Sequence, residues 1–189
     1  VATQCGGCVF RHIRYSAEKR AKEQRIHDAM ERIGGFQNLN IRPIVGAEQL
    51  DHYRNKAQFP VGINADGVPV LGFYATHSHR IVPCQKCFLQ PDVFEYAAQA
   101  FLTWLKETGD SVYEEKSGKG RIRHLYLRYA QETGEVMVCI VVNGNGVHRE
   151  DRFVQLLREK VPGLKSVVIN QNRENTNVIM GKKCRTVWG

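Results

Sequence analysis

Two pairs of cysteines have the spacing that lets sulfur atoms meet at one centre. Cys5 with Cys8, and Cys84 with Cys87, each form a C-x-x-C motif. Thiolates bind soft metals, and such a turn presents two of them without strain. The two pairs are farther apart than the roughly 15–20 residues typical of compact zinc modules. A site joined from distant segments is possible for zinc and common for iron–sulfur clusters.

The other cysteines favour different roles. Cys139 lies in an apolar run, Val138-Cys139-Ile140, and is predicted to be a small buried hydrophobe. Cys184 stands beside basic residues and is interpreted as structural or incidental. A redox function for Cys84 and Cys87 lacks the strand-to-helix context of thioredoxin-like motifs. The first pair therefore carries the metal hypothesis most directly.

The basic residues indicate a polyanionic partner. The net charge is +8 and the isoelectric point is about 9.3, a balance that favours phosphate contacts. Alternating charges on a strand can also be only a solvated face. Donors of several types cluster in a few places, and these are the candidate RNA-binding residues: Arg54, Asn55, Lys56, Arg80, Arg121, Arg123 and His124. His77 and His79 are interpreted as hydrogen-bonding loop residues rather than as metal ligands.

The order of elements predicts an α+β fold. We expect a helix over 16–33, a hairpin over 54–75, and an irregular loop over 77–90. A strong helix over 92–108, a second hairpin over 121–142 and a helix over 149–161 follow. Strands are expected over 164–170, 176–180 and 186–188. This order favours an antiparallel or mixed sheet built from two hairpins, with helices packed on one face.

Several functional classes find no support in the residues. No apolar run approaches the roughly 20 residues that cross a bilayer, and the first residues do not read as a signal peptide. We therefore expect a cytoplasmic protein with no membrane partner. No paired-carboxylate site or Ser-His-Asp arrangement is present that would make the chain itself a hydrolase.

An ordered set of short motifs makes the chain resemble a known family. The set is Cys5-Gly6-Gly7-Cys8, Tyr53-Arg54-Asn55-Lys56, Gly72-Phe73-Tyr74, Cys87-Phe88-Leu89-Gln90, Ile122-Arg123-His124-Leu125, Gly134-Glu135-Val136-Met137-Val138, Asn177-Val178-Ile179-Met180-Gly181 and Val187-Trp188-Gly189. It resembles the SAM-dependent RNA uracil-5-methyltransferases, in particular the iron–sulfur branch that acts on 23S ribosomal RNA. Single pieces are weak, but their order through the whole chain is specific.

The resemblance implies a domain organisation. Residues 1–15 would be the cysteine loop of the iron–sulfur site. Residues 16–45 would be a helix and linker that dock on the catalytic domain. Residues 46–189 would be the central α+β domain, with a TRAM barrel before the chain and the SAM-binding methyltransferase domain after it. The chain would then be a central fragment, inactive alone, with no catalytic residue of its own.

The resemblance also implies the cofactors. Cys5, Cys8 and Cys87 match three ligands of a [4Fe–4S] cluster, whose first ligand would lie upstream of Val1. Cys84 has no counterpart in the family pattern and is a possible substitute. SAM would bind only the parent enzyme, whose partner would be ribosomal RNA. Two alternatives stay open, a free-standing zinc-dependent RNA-binding module that uses both cysteine pairs, and a relative that acts on transfer RNA.

Overall fold

A seven-stranded mixed sheet is the centre of the computed structural model, which describes residues 4–8, 10–84 and 86–189. The strand order is β3-β2-β1-β4-β5-β6-β7. Neighbouring strands are antiparallel except β5 and β6, which are parallel and are joined through a helix. The strands are β1 Lys56–Ile63, β2 Pro69–Tyr74, β3 Ile81–Pro83, β4 Ile122–Ala130, β5 Glu135–Val142, β6 Leu164–Gln171 and β7 Lys183–Trp188.

Two helices cover one face of this sheet. α2 spans Val93–Thr108 and α3 spans Glu150–Lys160. Helical spacing places Phe101 and Trp104 of α2 on one side, where both are fully buried against Phe153 of α3. Gly109 ends α2 in the left-handed conformation, with φ 64°. The core therefore lies between the helices and the sheet.

The first helix differs from the other two. α1 spans Tyr15–Asp28 and continues as a π-helical turn over Ala29–Ile33, and neither part buries a residue against the described chain. Its apolar side chains stay in contact with solvent, and Ile33 is 87% exposed. None of the helices in the described ranges has the length and apolar character needed to cross a membrane.

The predicted fold class is confirmed: the sheet is mixed, two hairpins supply four of its strands, and the packed helices lie on one face. The edge strand β3 was not predicted, because three residues are too few to show an alternating pattern. The strand expected over 176–180 is wrong. The backbone carbonyls of that segment bond to a side chain instead of to a strand, since the Asn172 amide donates to the carbonyls of Val178 and Ile179.

A close approach at Gly72 makes the β2–β3 pair sensitive to a methyl group. A Cβ at this position would lie 1.9 Å from the carbonyl oxygen of Val82 on β3. We expect Gly72→Ala to lower the free energy of unfolding by about 1–3 kcal/mol, as measured by urea denaturation. Gly144→Ala is the matched control, because no described atom lies within 4 Å of its Cβ. Equal stability of the two variants would contradict the close backbone contact between β2 and β3.

Candidate functional site

The two cysteine motifs meet beside the β2–β3 edge of the sheet. Cys5 forms an antiparallel bridge with Ala75, and the N–H of Gly6 donates to the Tyr74 carbonyl at 2.9 Å. Cys84 directly follows β3, and its N–H donates to the Leu71 carbonyl at 3.2 Å. Both motifs are thus tied to β2 and the residue that follows it, although about 80 residues of sequence separate them.

The four thiols are close enough to influence one another electrostatically. Hydrogen bonding with Cys84 lowers the pKa of Cys87 to about 6, and the same pairing, followed by burial, raises the pKa of Cys84. Burial, followed by repulsion from Cys87 and Cys5, raises the pKa of Cys8. In addition, the N–H of Gly7 points at the Cys5 sulfur at 3.4 Å. We call Cys5, Cys8, Cys84 and Cys87 the cysteine cluster.

The donor set suits a soft metal, but the side chains are not drawn together into a coordination site. Four thiols from two loops match the chemistry of zinc or iron–sulfur ligands. Within the described ranges, however, no three His, Cys, Asp or Glu side chains are arranged so that they could hold a metal ion. The structure therefore brings the predicted ligands Cys5, Cys8 and Cys87 into one cluster with Cys84, without metal-binding geometry.

The cysteine cluster holds the segment that leads into β1. The guanidinium of Arg54 donates through Nη2 to the Gly7 carbonyl at 3.0 Å, between the two cysteines of the first motif. The backbone N–H groups of His52 and Arg54 donate to the carbonyls of Phe88 and Leu89, which follow Cys87. Both cysteine motifs consequently fix the position of Arg54, one through its side chain and the other through its backbone.

The first group of predicted RNA-binding residues is presented on this segment. Asn55 and Lys56 are exposed, while Arg54 is partly buried by its bond to the cysteine loop. The three residues line an open groove of about 530 Å³ together with Tyr53, Gln58, Phe73 and Gln90. Cationic, amide and aromatic groups occur side by side there, which is the combination that contacts phosphates and unpaired bases.

The remaining predicted RNA-binding residues lie elsewhere. Arg80, Arg123 and His124 line a separate groove near β3. Arg121 pairs with the buried carboxylate of Asp110 at 3.5 Å. The guanidinium of Arg123 is buried and donates to three backbone carbonyls, of which the closest is that of Glu174 at 2.8 Å. The structure thus divides six of the seven predicted residues between two grooves, leaves Arg121 outside both, and engages Arg123 within the protein.

Burial also changes the chemistry of His124. Its side chain is 8% exposed, and burial, followed by the charge of Arg123, lowers the pKa of His124 to about 4. A neutral imidazole at pH 7 supplies one donor and one acceptor instead of a positive charge. The sequence placed this residue within a basic set, and its motif carried no sign of the burial.

The two cysteines outside the cluster lie in different surroundings. Cys139 is 1% exposed, so the prediction of a small buried hydrophobe is confirmed, and burial raises its pKa to about 12. Cys184 accepts a hydrogen bond from Asn170 Nδ2 at 3.1 Å. Asn170 and Asn172, which are buried polar residues in and after β6, were not among the residues predicted to matter.

The fold of this chain also occurs in solved structures. The chain matches the crystal structure of Pyrococcus abyssi tRNA (uracil-54, C5)-methyltransferase in complex with S-adenosyl-L-homocysteine, with a TM-score of 0.71 and 22% identity. The match covers 96% of this chain and 41% of that one. At this identity the likeness shows a common fold. No protein-family model matches the chain.

Curated relatives match the chain from end to end. It is 40% identical over 188 residues to an uncharacterised RNA methyltransferase of Caldanaerobacter subterraneus subsp. tengcongensis. It is 35% identical over 189 residues to an uncharacterised RNA methyltransferase of Halalkalibacterium halodurans. Each match covers the whole of this chain and 41% of the relative. The chain is therefore similar to RNA methyltransferases, and it spans about two fifths of their length.

Proposed function

We propose that the chain is the RNA-binding part of a SAM-dependent RNA uracil-5-methyltransferase. The observation that carries the proposal is the end-to-end similarity to RNA methyltransferases at up to 40% identity. The ordered motifs and the fold shared with a uracil-5-methyltransferase support it. The exposed donors at the start of β1 supply a surface that suits RNA. With an RNA partner of this kind, we expect the protein to act in the cytoplasm.

The proposed reaction needs a cysteine nucleophile and a SAM-binding site, and no residue of this chain is assigned to either. The resemblance gives the parent enzyme a cysteine thiolate that adds to C6 of a flipped-out uridine. Methyl transfer from SAM to C5 follows, and removal of the C5 proton by a base then expels the thiolate and releases the enzyme. Of the six cysteines of this chain, four form the cysteine cluster, Cys139 is buried in the core and Cys184 contacts Asn170. We therefore propose that this chain, which corresponds to about two fifths of each relative, binds RNA. We propose that the rest of the parent enzyme catalyses the methyl transfer.

Methyl transfer by the chain alone tests this division of labour. Purified chain, incubated with radiolabelled SAM and a ribosomal RNA fragment, is expected to incorporate no label. A longer protein that spans a whole relative is the positive control. Label transferred by the 189-residue chain itself would overturn the assignment of the chemistry to the rest of the parent.

We propose further that Cys5, Cys8 and Cys87 bind an iron–sulfur cluster, with Cys84 as a substitute ligand. When bound, such a group would act as a structural tie, because Gly7 of the first motif and Phe88 and Leu89 after the second accept hydrogen bonds from the Arg54 segment. Zinc bound by the same four thiols is the alternative. Anaerobic purification distinguishes them, because a coloured protein with visible charge-transfer bands indicates iron and sulfide, whereas a colourless protein with stoichiometric zinc indicates the alternative.

The identity of the RNA is the finer part of the proposal. The motif set favours 23S ribosomal RNA, whereas the structural neighbour is named for transfer RNA, so transfer RNA is the second candidate. Competition binding with equal concentrations of the two RNAs separates them. Preferential binding of transfer RNA would make transfer RNA the proposed substrate instead of ribosomal RNA. The proposal that the chain binds RNA would stand.

The exposed side of α1 fits the same organisation. Ile26, Met30 and Ile33 are exposed apolar side chains of the helix and its π-helical turn. We propose that the methyltransferase domain of the parent covers this surface, because the relatives contain more than half of their length outside the match. Hydrogen exchange that slows at 26–33 in the longer protein, relative to the 189-residue chain, is the expected result.

Salt dependence tests the RNA surface at the start of β1. We expect Lys56→Gln to weaken RNA binding and to reduce the slope of log K against log salt by about one, because one phosphate contact is lost. Lys160→Gln removes the same charge from an exposed position at the end of α3 and serves as the control. Equal slopes for the two variants would remove Lys56 from the site.

A further inference from the structure

A second groove lies at the opposite end of β1 from Lys56. It has a volume of about 570 Å³, within the range of about 300–1,000 Å³ that holds small ligands. Its walls come from the β1–β2 turn, from β2 and β3, from the loop at 113–116 and from the start of β4. We call it the β3 groove. Three of the predicted RNA-binding residues line it, Arg80, Arg123 and His124.

One wall of the β3 groove is a pair of stacked rings. The rings of Tyr74 and His79 have centroids 5.2 Å apart and an interplanar angle of 28°. The carboxylate of Glu115 accepts hydrogen bonds from the Tyr74 hydroxyl and from Nδ1 of His79. It therefore fixes both rings from behind, while the side chain of His79 stays 63% exposed. This arrangement is a preformed stacking surface.

Charged groups of both signs surround the rings. Arg80 and Lys116 are exposed cations on the rim, and Arg123 stacks over Tyr113 with 4.4 Å between its Cζ and the ring centroid. Glu114 also lines the groove, but it accepts a hydrogen bond from Ser117. The groove thus combines aromatic faces with cations, which is the combination that holds single-stranded nucleic acid.

The inner wall contains polar atoms that lack partners. Nδ1 of His124 and Nε of Arg123 are buried and have no hydrogen-bond partner within the described part of the chain. Their side chains belong to residues that are 8% and 6% exposed. A buried polar atom without a partner is costly, and both residues line the groove, so a ligand that brings hydrogen-bonding groups would reach these deeply buried atoms after a shift of the two side chains.

We propose that the β3 groove binds one unpaired nucleotide of the RNA, with its base stacked on the exposed face of His79, which itself stacks on Tyr74, and its phosphate beside Arg80 and Lys116. This inference rests on the proposed RNA-binding function. Lys56 and Ile63 mark the two ends of β1, about 24 Å apart at roughly 3.4 Å per residue. About seven stacked nucleotides span that distance. The two grooves then contact one RNA strand at separated positions.

Fluorescence anisotropy of the 189-residue chain with a single-stranded RNA of about twelve nucleotides, longer than the span of β1, tests the proposal. We expect His79→Ala to weaken binding roughly fivefold or more, as the loss of one base–aromatic stack does. The matched control is His77→Asn, which changes an exposed histidine of the same loop that does not line the groove. Asparagine tolerates its positive φ of 55°.

A second variant guards against a loss caused by misfolding. His124→Phe keeps an aromatic ring, which is somewhat larger, and removes the unpartnered nitrogen, so we expect weaker RNA binding from a protein whose cooperative thermal unfolding shows that the fold is intact. If His79→Ala and His124→Phe both bind RNA with unchanged affinity while Lys56→Gln binds more weakly, the proposal that the β3 groove binds a nucleotide is overturned. The proposed RNA-binding function then still stands. Failure of the unaltered chain to bind RNA would overturn both.

Discussion

Replacing Arg54 with alanine is expected to weaken RNA binding by roughly tenfold to a hundredfold, as measured by anisotropy at one fixed salt concentration. Arg54 lines the groove at the start of β1, and its guanidinium donates to the Gly7 carbonyl at 3.0 Å. Hydrogen bonds that involve a charged group contribute about 1.5–3 kcal/mol, and each 1.4 kcal/mol is about a factor of ten. The substitution removes a cation from the surface and a tie to the cysteine loop.

Arg54→Lys separates these two contributions. Lysine keeps the positive charge but lacks the planar fork that can reach Gly7 and a phosphate at once. If the tie to the cysteine loop matters, Arg54→Lys loses most of the affinity that Arg54→Ala loses. Arg152→Ala, which removes an arginine of α3 that is paired with Glu107, is expected to bind RNA normally. Full affinity of Arg54→Ala would contradict the placement of the RNA at this groove.

The free energy of unfolding is expected to fall by about 3 kcal/mol between pH 7 and pH 4 through His124 alone. Burial and Arg123, opposed by Glu115, lower its pKa from 6.5 to about 4 in the folded chain. The unfolded chain therefore takes up the proton first as the pH falls. The stabilisation is complete above about pH 6.5 and is lost progressively towards pH 4, at about 1.36 kcal/mol per pH unit.

The comparison with His124→Phe isolates this effect, because the two proteins differ only in this side chain. Urea denaturation at several pH values is expected to show a shallower loss of stability in the variant, by about 3 kcal/mol at pH 4. Parallel curves for the two proteins would show that the buried imidazole does not govern the acid response.

The strongly periodic elements were predictable from sequence because their burial is local. The apolar spacing of α2 follows from a single helix facing a single core, and the α+β class followed from the order of such elements. The cysteine cluster required more, because C-x-x-C spacing indicates pairs but not which pairs meet. Only the register of β2 with β3, and the bridge of Cys5 with Ala75, bring the two motifs to one place.

The division of the basic residues was not predictable for a related reason. Neighbours on a strand normally point to opposite faces, but the pairing of β4 with β5 shifts between Ile122 and His124. Arg123 and His124 are both buried and both line the β3 groove, in a strand whose residues 122–127 are buried without interruption. An irregularity of this kind depends on the partner strand, so the motif Ile122-Arg123-His124-Leu125 could not indicate it.

Photo-crosslinking to RNA tests most directly the claim that the chain binds RNA at the segment held by the cysteine cluster. A ribosomal RNA fragment that carries a photoreactive uridine is irradiated with the chain, and the crosslinked peptides are identified by mass spectrometry. We expect crosslinks within Tyr53–Gln58, and their loss in Arg54→Ala. Crosslinks confined to α2 and α3, on the helical face of the sheet, would contradict RNA binding at this segment.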